Sequence, residues 1–125
     1  MARALIVDDE PYMITLIEAI LAPLELECSG CNSAEDALLH LSDSAIDFLI
    51  VDLMLPRMSG LELCRHIRNE PDLKELRIVM ITAKDLNVDE RKELMLQEVQ
   101  LLAKPITASA LLDFVRAASP AKPAN

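Results

Sequence analysis

Aromatic residues are scarce in this chain of 125 residues: two phenylalanines, one tyrosine and no tryptophan, 2% of the total. With 52% of residues apolar, a core must therefore be built from Leu, Ile, Val and Met. No apolar run approaches the roughly 18 residues that a membrane helix needs. The opening "MARALIVDDE" is charged too soon to serve as a secretory signal. Basic charge is also short, with 12 Lys and Arg against 21 Asp and Glu, a formal net charge of −9. Nucleic acids and anionic membranes are recognised through clustered Lys and Arg, so both are excluded as expected partners. An acidic cluster instead suits a divalent cation, and a cytoplasmic location is expected. Three cysteines make a poor disulfide framework. Cys28 and Cys31 form a C-x-x-C, but no second pair or spaced histidines complete a zinc site. Reduced thiols at a strand end are the simpler reading, with a redox dithiol as the alternative. Cys64 falls on an apolar helical face with Leu63 and Ile67.

What is present is a regular alternation of two patterns. Continuous apolar runs occur at 4–7, 47–52 and 77–82, and shorter strand-like stretches at 24–28 and 99–104. Between them lie segments with helical spacing: 11–22, 32–43, 60–69, 87–98 and 107–119. Met13, Leu16, Ile17, Ile20 and Leu21 share one face of the first; Pro11 suits its opening turn and Pro23 its end. Ser33 caps the second helix, which offers Leu38, Leu39 and Leu41 for burial. Strands that are apolar throughout belong to a parallel sheet covered on both faces. Right-handed crossovers then give a doubly wound α/β sheet of five strands and five helices. Residues 1–119 form one domain, and the aperiodic 120–125, "PAKPAN", read as a loose tail or the start of a linker.

In such a sheet the active crevice lies beyond the carboxyl ends of the strands. Asp8 and Asp9 follow the first strand, Asp52 ends the third, Thr82 the fourth, and Lys104 the fifth. Clustered carboxylates repel, and a hard dication such as Mg2+ resolves the conflict by taking oxygen ligands. Asp52 can then serve as a carboxylate nucleophile toward phosphorus. Lys104 supplies a point charge and Thr82 a hydroxyl for the transferred oxygens. Each residue alone has a plain structural explanation: acids cap helices, and Thr82 and Lys104 could be an ordinary strand end and a solvated charge. Pro56 and Gly60 read as turn residues. His40 and His66 sit among polar neighbours on helices.

The fragments "LIVDDE", "VDLMLPRMSG", "VMITA" and "LLAKPI", in this order at strand ends, resemble the signature of the bacterial response-regulator receiver domain. The resemblance spans roughly residues 3–118. It implies a flavodoxin-like strand order 2-1-3-4-5. It further implies phosphorylation of Asp52 by a histidine kinase or phosphotransfer protein. Asp9, Asp52 and the Met54 carbonyl would ligate Mg2+, Asp8 acting through water. Thr82 and Lys104 would contact the phosphoryl group, and a cis bond would precede Pro105, which only an X-Pro amide makes accessible. The implied output is protein contact with a downstream target or effector domain, and a second copy is a candidate partner. Such a protein is a signalling switch, not a turnover enzyme on external substrates.

Two other readings fit parts of the pattern: a degenerate receiver that binds proteins without phosphorylation, and an aspartate-nucleophile phosphatase of the haloacid-dehalogenase type. The second would want D-x-D-x-T/V after the first strand, whereas Asp8 and Asp9 are adjacent. The chain departs from the family at three positions. Leu101 stands where a Tyr or Phe usually precedes the lysine by three, Gln97-Glu98 replaces a common Gly-Ala, and Ile106 replaces a frequent aromatic. On the last helix Ala108, Leu111, Leu112 and Val115 form the expected core stripe. Ala110, Phe114 and Ala117 form a second strip, expected to be exposed and offered to a partner. Leu101 and Phe114 are thus the expected switch and output positions.

Overall fold

The computed structural model describes residues 1–118. Five strands, β1 (Arg3–Val7), β2 (Glu27–Cys31), β3 (Phe48–Asp52), β4 (Arg77–Thr82) and β5 (Val99–Ala103), alternate with five helices. These are α1 (Pro11–Leu21), α2 (Ala34–Asp43), α3 (Gly60–Arg68), α4 (Val88–Leu96) and α5 (Ala108–Ala118). The strands form one parallel sheet in the order β2-β1-β3-β4-β5, as the resemblance implied. All five β3 residues are buried, and β4 is buried after Arg77. Alternate side chains feed two cores. Leu5, Val7, Leu49, Val51, Ile78 and Met80 face α2, α3 and α4. Ala4, Ile6, Phe48, Ile50, Val79 and Ile81 face α1 and α5. That two-sided demand explains why the central strands are apolar without alternation.

Side-chain caps fix where three helices begin. Ser33 Oγ accepts from the Asp36 amide at 3.1 Å. Ser59 with Glu62, and Asn87 with Glu90, form reciprocal capping boxes that satisfy helix-end donors. The domain boundary expected at 119 and the tail at 120–125 lie outside the described residues.

Several expectations are corrected. The alternation at 24–28 is not a strand: Ala22–Leu24 is a 3-10 turn and Glu25 is left-handed at φ 56°, so β2 starts at Glu27. The C-x-x-C therefore lies inside a strand, where residues three apart point to opposite faces. Cys28 packs on the α1/α5 side and Cys31 on the other, which removes the vicinal dithiol reading. Burial pushes both thiols up, Cys31 to about 11. Leu16 and Leu39 are exposed, because Met13, Ile17 and Leu21 form the α1 stripe and Ala34, Ala37 and Leu41 that of α2. Gly60 is no turn residue but the first of α3. A Cβ there would lie 2.5 Å from the Asp52 carbonyl oxygen, so its lack of a side chain lets α3 start against β3.

The largest correction concerns Phe114. It is 5% exposed, with its ring edge-to-face on Phe48 at 6.3 Å between centroids. The α5 stripe is Leu111, Phe114 and Val115, while Ala108 is exposed and Leu112 half-buried. The helix turns about 100° per residue, so 111, 114 and 115 share a face that 108 only borders. Phe114 is thus a core residue, unavailable to a partner. Phe114→Ala should destabilise the fold by about 3–5 kcal/mol. Leu39→Ala, at 63% exposure, should stay within about 0.5 kcal/mol. Urea unfolding of both variants measures the contrast.

Candidate functional site

The carboxyl ends of β1, β3, β4 and β5 meet at one edge of the molecule. Asp8 continues β1, its amide donating to the Cys31 carbonyl at 3.1 Å. Its carboxylate is 2% exposed, and Oδ1 accepts the Glu10 amide at 2.9 Å. Asp9 is exposed beside it. Asp52, the last residue of β3, is 5% exposed; its Oδ1 accepts the Met54 amide at 3.1 Å. Apolar strands carry these acids to the edge, and short turns after each aspartate fold the chain back onto the carboxylate. Oxygens of Asp8, Asp9 and Asp52 lie within 4.8 Å of one another.

Lys104 enters from the opposite side. Its amide donates to the Thr82 carbonyl at 3.0 Å, which ties the end of β5 to that of β4. Its Nζ donates to Asp52 Oδ2 at 3.0 Å and stands 3.9 Å from Asp8 Oδ2. The Lys104–Pro105 peptide is cis. Thr82, buried, is one residue beyond Ile81, the β4 partner of Asp52. Its Oγ1 accepts the Lys84 amide at 2.9 Å, which fixes the oxygen and leaves its proton free to point elsewhere.

The electrostatics follow from this crowding. Burial raises the Asp8 pKa, and the neighbouring Asp52 and Asp9 charges raise it further, against the lowering pull of the Glu10 amide and Lys104. Burial alone would lower the Lys104 pKa, but its hydrogen bond to Asp52 and the charges of Asp52, Asp8 and Glu10 hold it above the usual range. Two buried carboxylates and one exposed one, with a single ammonium between them, form an all-oxygen donor set. Hard cations such as Mg2+ take such sets. Met54 is 59% exposed at the rim, its amide committed to Asp52.

The structure thus gathers Asp8, Asp9, Asp52, Thr82 and Lys104 at one edge. Leu101 is half-buried on β5 against the α2/α3/α4 core, opposite Met80, and Phe114 lies away from the edge in the other core. Three contributors were not read from the sequence. They are the Glu10 amide on Asp8, the Met54 amide on Asp52 and the Lys84 amide on Thr82, while Arg57, left-handed at φ 66°, pairs with Glu35 at 3.6 Å. The turns after Asp8 and Asp52 could have been anticipated, since Asp side chains often accept from amides two residues on. Nothing in the sequence marks the Arg57 pairing.

A family model described as the response regulator receiver domain matches residues 4–116. The chain belongs to the response-regulator receiver domain family. The heme response regulator HssR of Staphylococcus saprophyticus is 30% identical over 117 residues, 94% of this chain and 51% of that protein. The HssR of Staphylococcus haemolyticus is 28% identical over the same shares. The chain therefore spans about half the length of these relatives. A response regulator receiver protein from Pseudomonas putida has the same fold, with a TM-score of 0.85 and 30% identity over 93% of this chain and 96% of that one. The chemotaxis protein CheY4 of Vibrio cholerae, at 24% identity and a TM-score of 0.84, covers 94% of this chain and 98% of its own; it shows likeness of fold.

The raised Asp8 pKa has a consequence with a definite sign. In the folded state Asp8 holds its proton to higher pH than in the unfolded chain, so ionising it opposes folding. That penalty is full near neutral pH and fades as pH falls through the raised pKa toward the ordinary carboxylate range. Without metal, Asp8→Asn should therefore melt higher than the parent at neutral pH, with the gap closing on acidification. Added Mg2+ should raise the parent's melting temperature more than the variant's. Thermal unfolding across pH, with and without Mg2+, measures both.

Proposed function

We propose that the chain is the phosphoacceptor module of a two-component pathway, with Asp52 taking a phosphoryl group from a histidine kinase or phosphotransfer protein. The observation that carries this reading is the Lys104 ammonium 3.0 Å from Asp52 Oδ2, inside a carboxylate cluster that its single charge does not balance. Asp8, Asp9, Asp52 and the Met54 carbonyl would hold Mg2+, which when bound neutralises charge on the phosphoryl oxygens. An Asp52 oxygen forms the new bond to phosphorus as the bond from phosphorus to the donor's ring nitrogen breaks, the electron pair staying on that nitrogen. Lys104, released from part of its interaction with Asp52, pairs with one phosphoryl oxygen; the Thr82 proton serves another. The phosphoryl group brings about 1.5 to 2 negative charges where the Asp52 carboxylate had one. These bias the loops after β4 and the neighbouring α4.

The chain acts as a switch, with no turnover of external substrates, and passes its state to a downstream protein or an effector domain. No helix among the described residues is long and apolar enough to cross a membrane, and a cytoplasmic site of action follows from the kinase partner. Leu101 gives the second reading its footing: a receiver without the usual ring on β5 could signal by binding alone. Incubation with acetyl phosphate and Mg2+, read by intact mass, separates the two. A single phosphoryl adduct, lost in Asp52→Asn and in excess chelator, is expected. An unmodified chain under these conditions would favour the binding module.

A further inference from the structure

At the opposite pole, where β4 and β5 begin, a cavity of about 300 Å3 is lined by Arg68, Lys74, Arg77, Glu98 and Gln100, with the buried side chains of Leu76, Ile78 and Phe114 beneath. Three of the chain's 12 basic residues thus converge on one hollow of a protein with a net charge of −9. None of the three forms an ion pair among the described residues; the single carboxylate of the lining is Glu98. Arg68 is the fixed member. Its Nε donates to the Gln97 carbonyl at 2.8 Å and its Nη1 to those of Leu73 and Lys74 at 3.3 and 3.2 Å. Nη2 has no hydrogen bond among the described residues, and it is not sealed from solvent. Burial, with repulsion from Arg77, lowers the Arg68 pKa. A half-buried guanidinium anchored by three carbonyls, with two further cations beside it, leaves positive charge that Glu98 alone does not balance and that an anion would relieve.

We infer that this cavity binds a small anion, its phosphate or carboxylate held by Arg68, Lys74 and Arg77. Arginine presents paired donors that match both anion types. The site is remote from Asp52, so a ligand there would contact the starts of β4 and β5, strands whose far ends carry Thr82 and Lys104.

Titration of 15N-labelled protein with phenyl phosphate, benzoate and inorganic phosphate tests this. Phenyl phosphate and benzoate should each give saturable amide shifts at Arg77, Ile78 and Gln100, with Kd on the order of millimolar or tighter. Inorganic phosphate should shift the same amides. Lys74→Gln combined with Arg77→Gln, both exposed positions, should keep the parent's spectrum elsewhere and bind about tenfold more weakly. Absence of saturable shifts at this pole with either organic anion, or unchanged affinity in the double variant, would overturn the site.

Discussion

The contact between Lys104 and Asp52 is the interaction on which the functional edge depends. Asp8 and Asp52 are nearly sealed from solvent, and Asp9 adds a third charge within 4.8 Å. Carboxylates so placed cannot all stay ionised without positive charge close by. The Lys104 ammonium reaches both buried acids, at 3.0 and 3.9 Å, and is the charge that lets the strands end where they do. It cannot balance all three. The remaining negative charge is what a bound cation would relieve.

A sheet with parallel strands makes this arrangement accessible. Every strand runs the same way, so all carboxyl ends fall on one edge, and residues from 8 to 104 meet without any long loop. Both faces of the central strands are covered, so each terminal residue is surrounded by packed atoms and held in place. Gly60 shows how closely: α3 begins directly over the Asp52 carbonyl. The polar turns after Asp8, Asp52 and Thr82 then fix one oxygen of each side chain with a backbone amide two residues on, leaving the rest for chemistry.

Much of this was legible from residue order. Runs such as "LIVDDE" and "FLIVD" reveal their strands because burial on two faces demands apolar residues at every position, and the acid marks the point where the run meets the edge. Legibility failed where patterns are ambiguous. "LELE" alternates as a strand would, yet Pro23 and left-handed Glu25 turn it into a 3-10 turn and an offset start for β2. On α5, helical spacing alone assigns Phe114 to an exposed second stripe, and it is the ring of Phe48, 66 positions away, that draws it into the core. Contacts such as Arg65 with Glu93 and Arg57 with Glu35 join charges 28 and 22 positions apart, and no local spacing rule predicts them.

If the ammonium of Lys104 is the resident counter-charge of the carboxylates, it competes with any cation that approaches them. Mg2+ affinity measured by calorimetry on the parent and on Lys104→Met is the direct test. The account predicts tighter Mg2+ binding in Lys104→Met, together with a less stable metal-free protein. Weaker or unchanged Mg2+ affinity would contradict it.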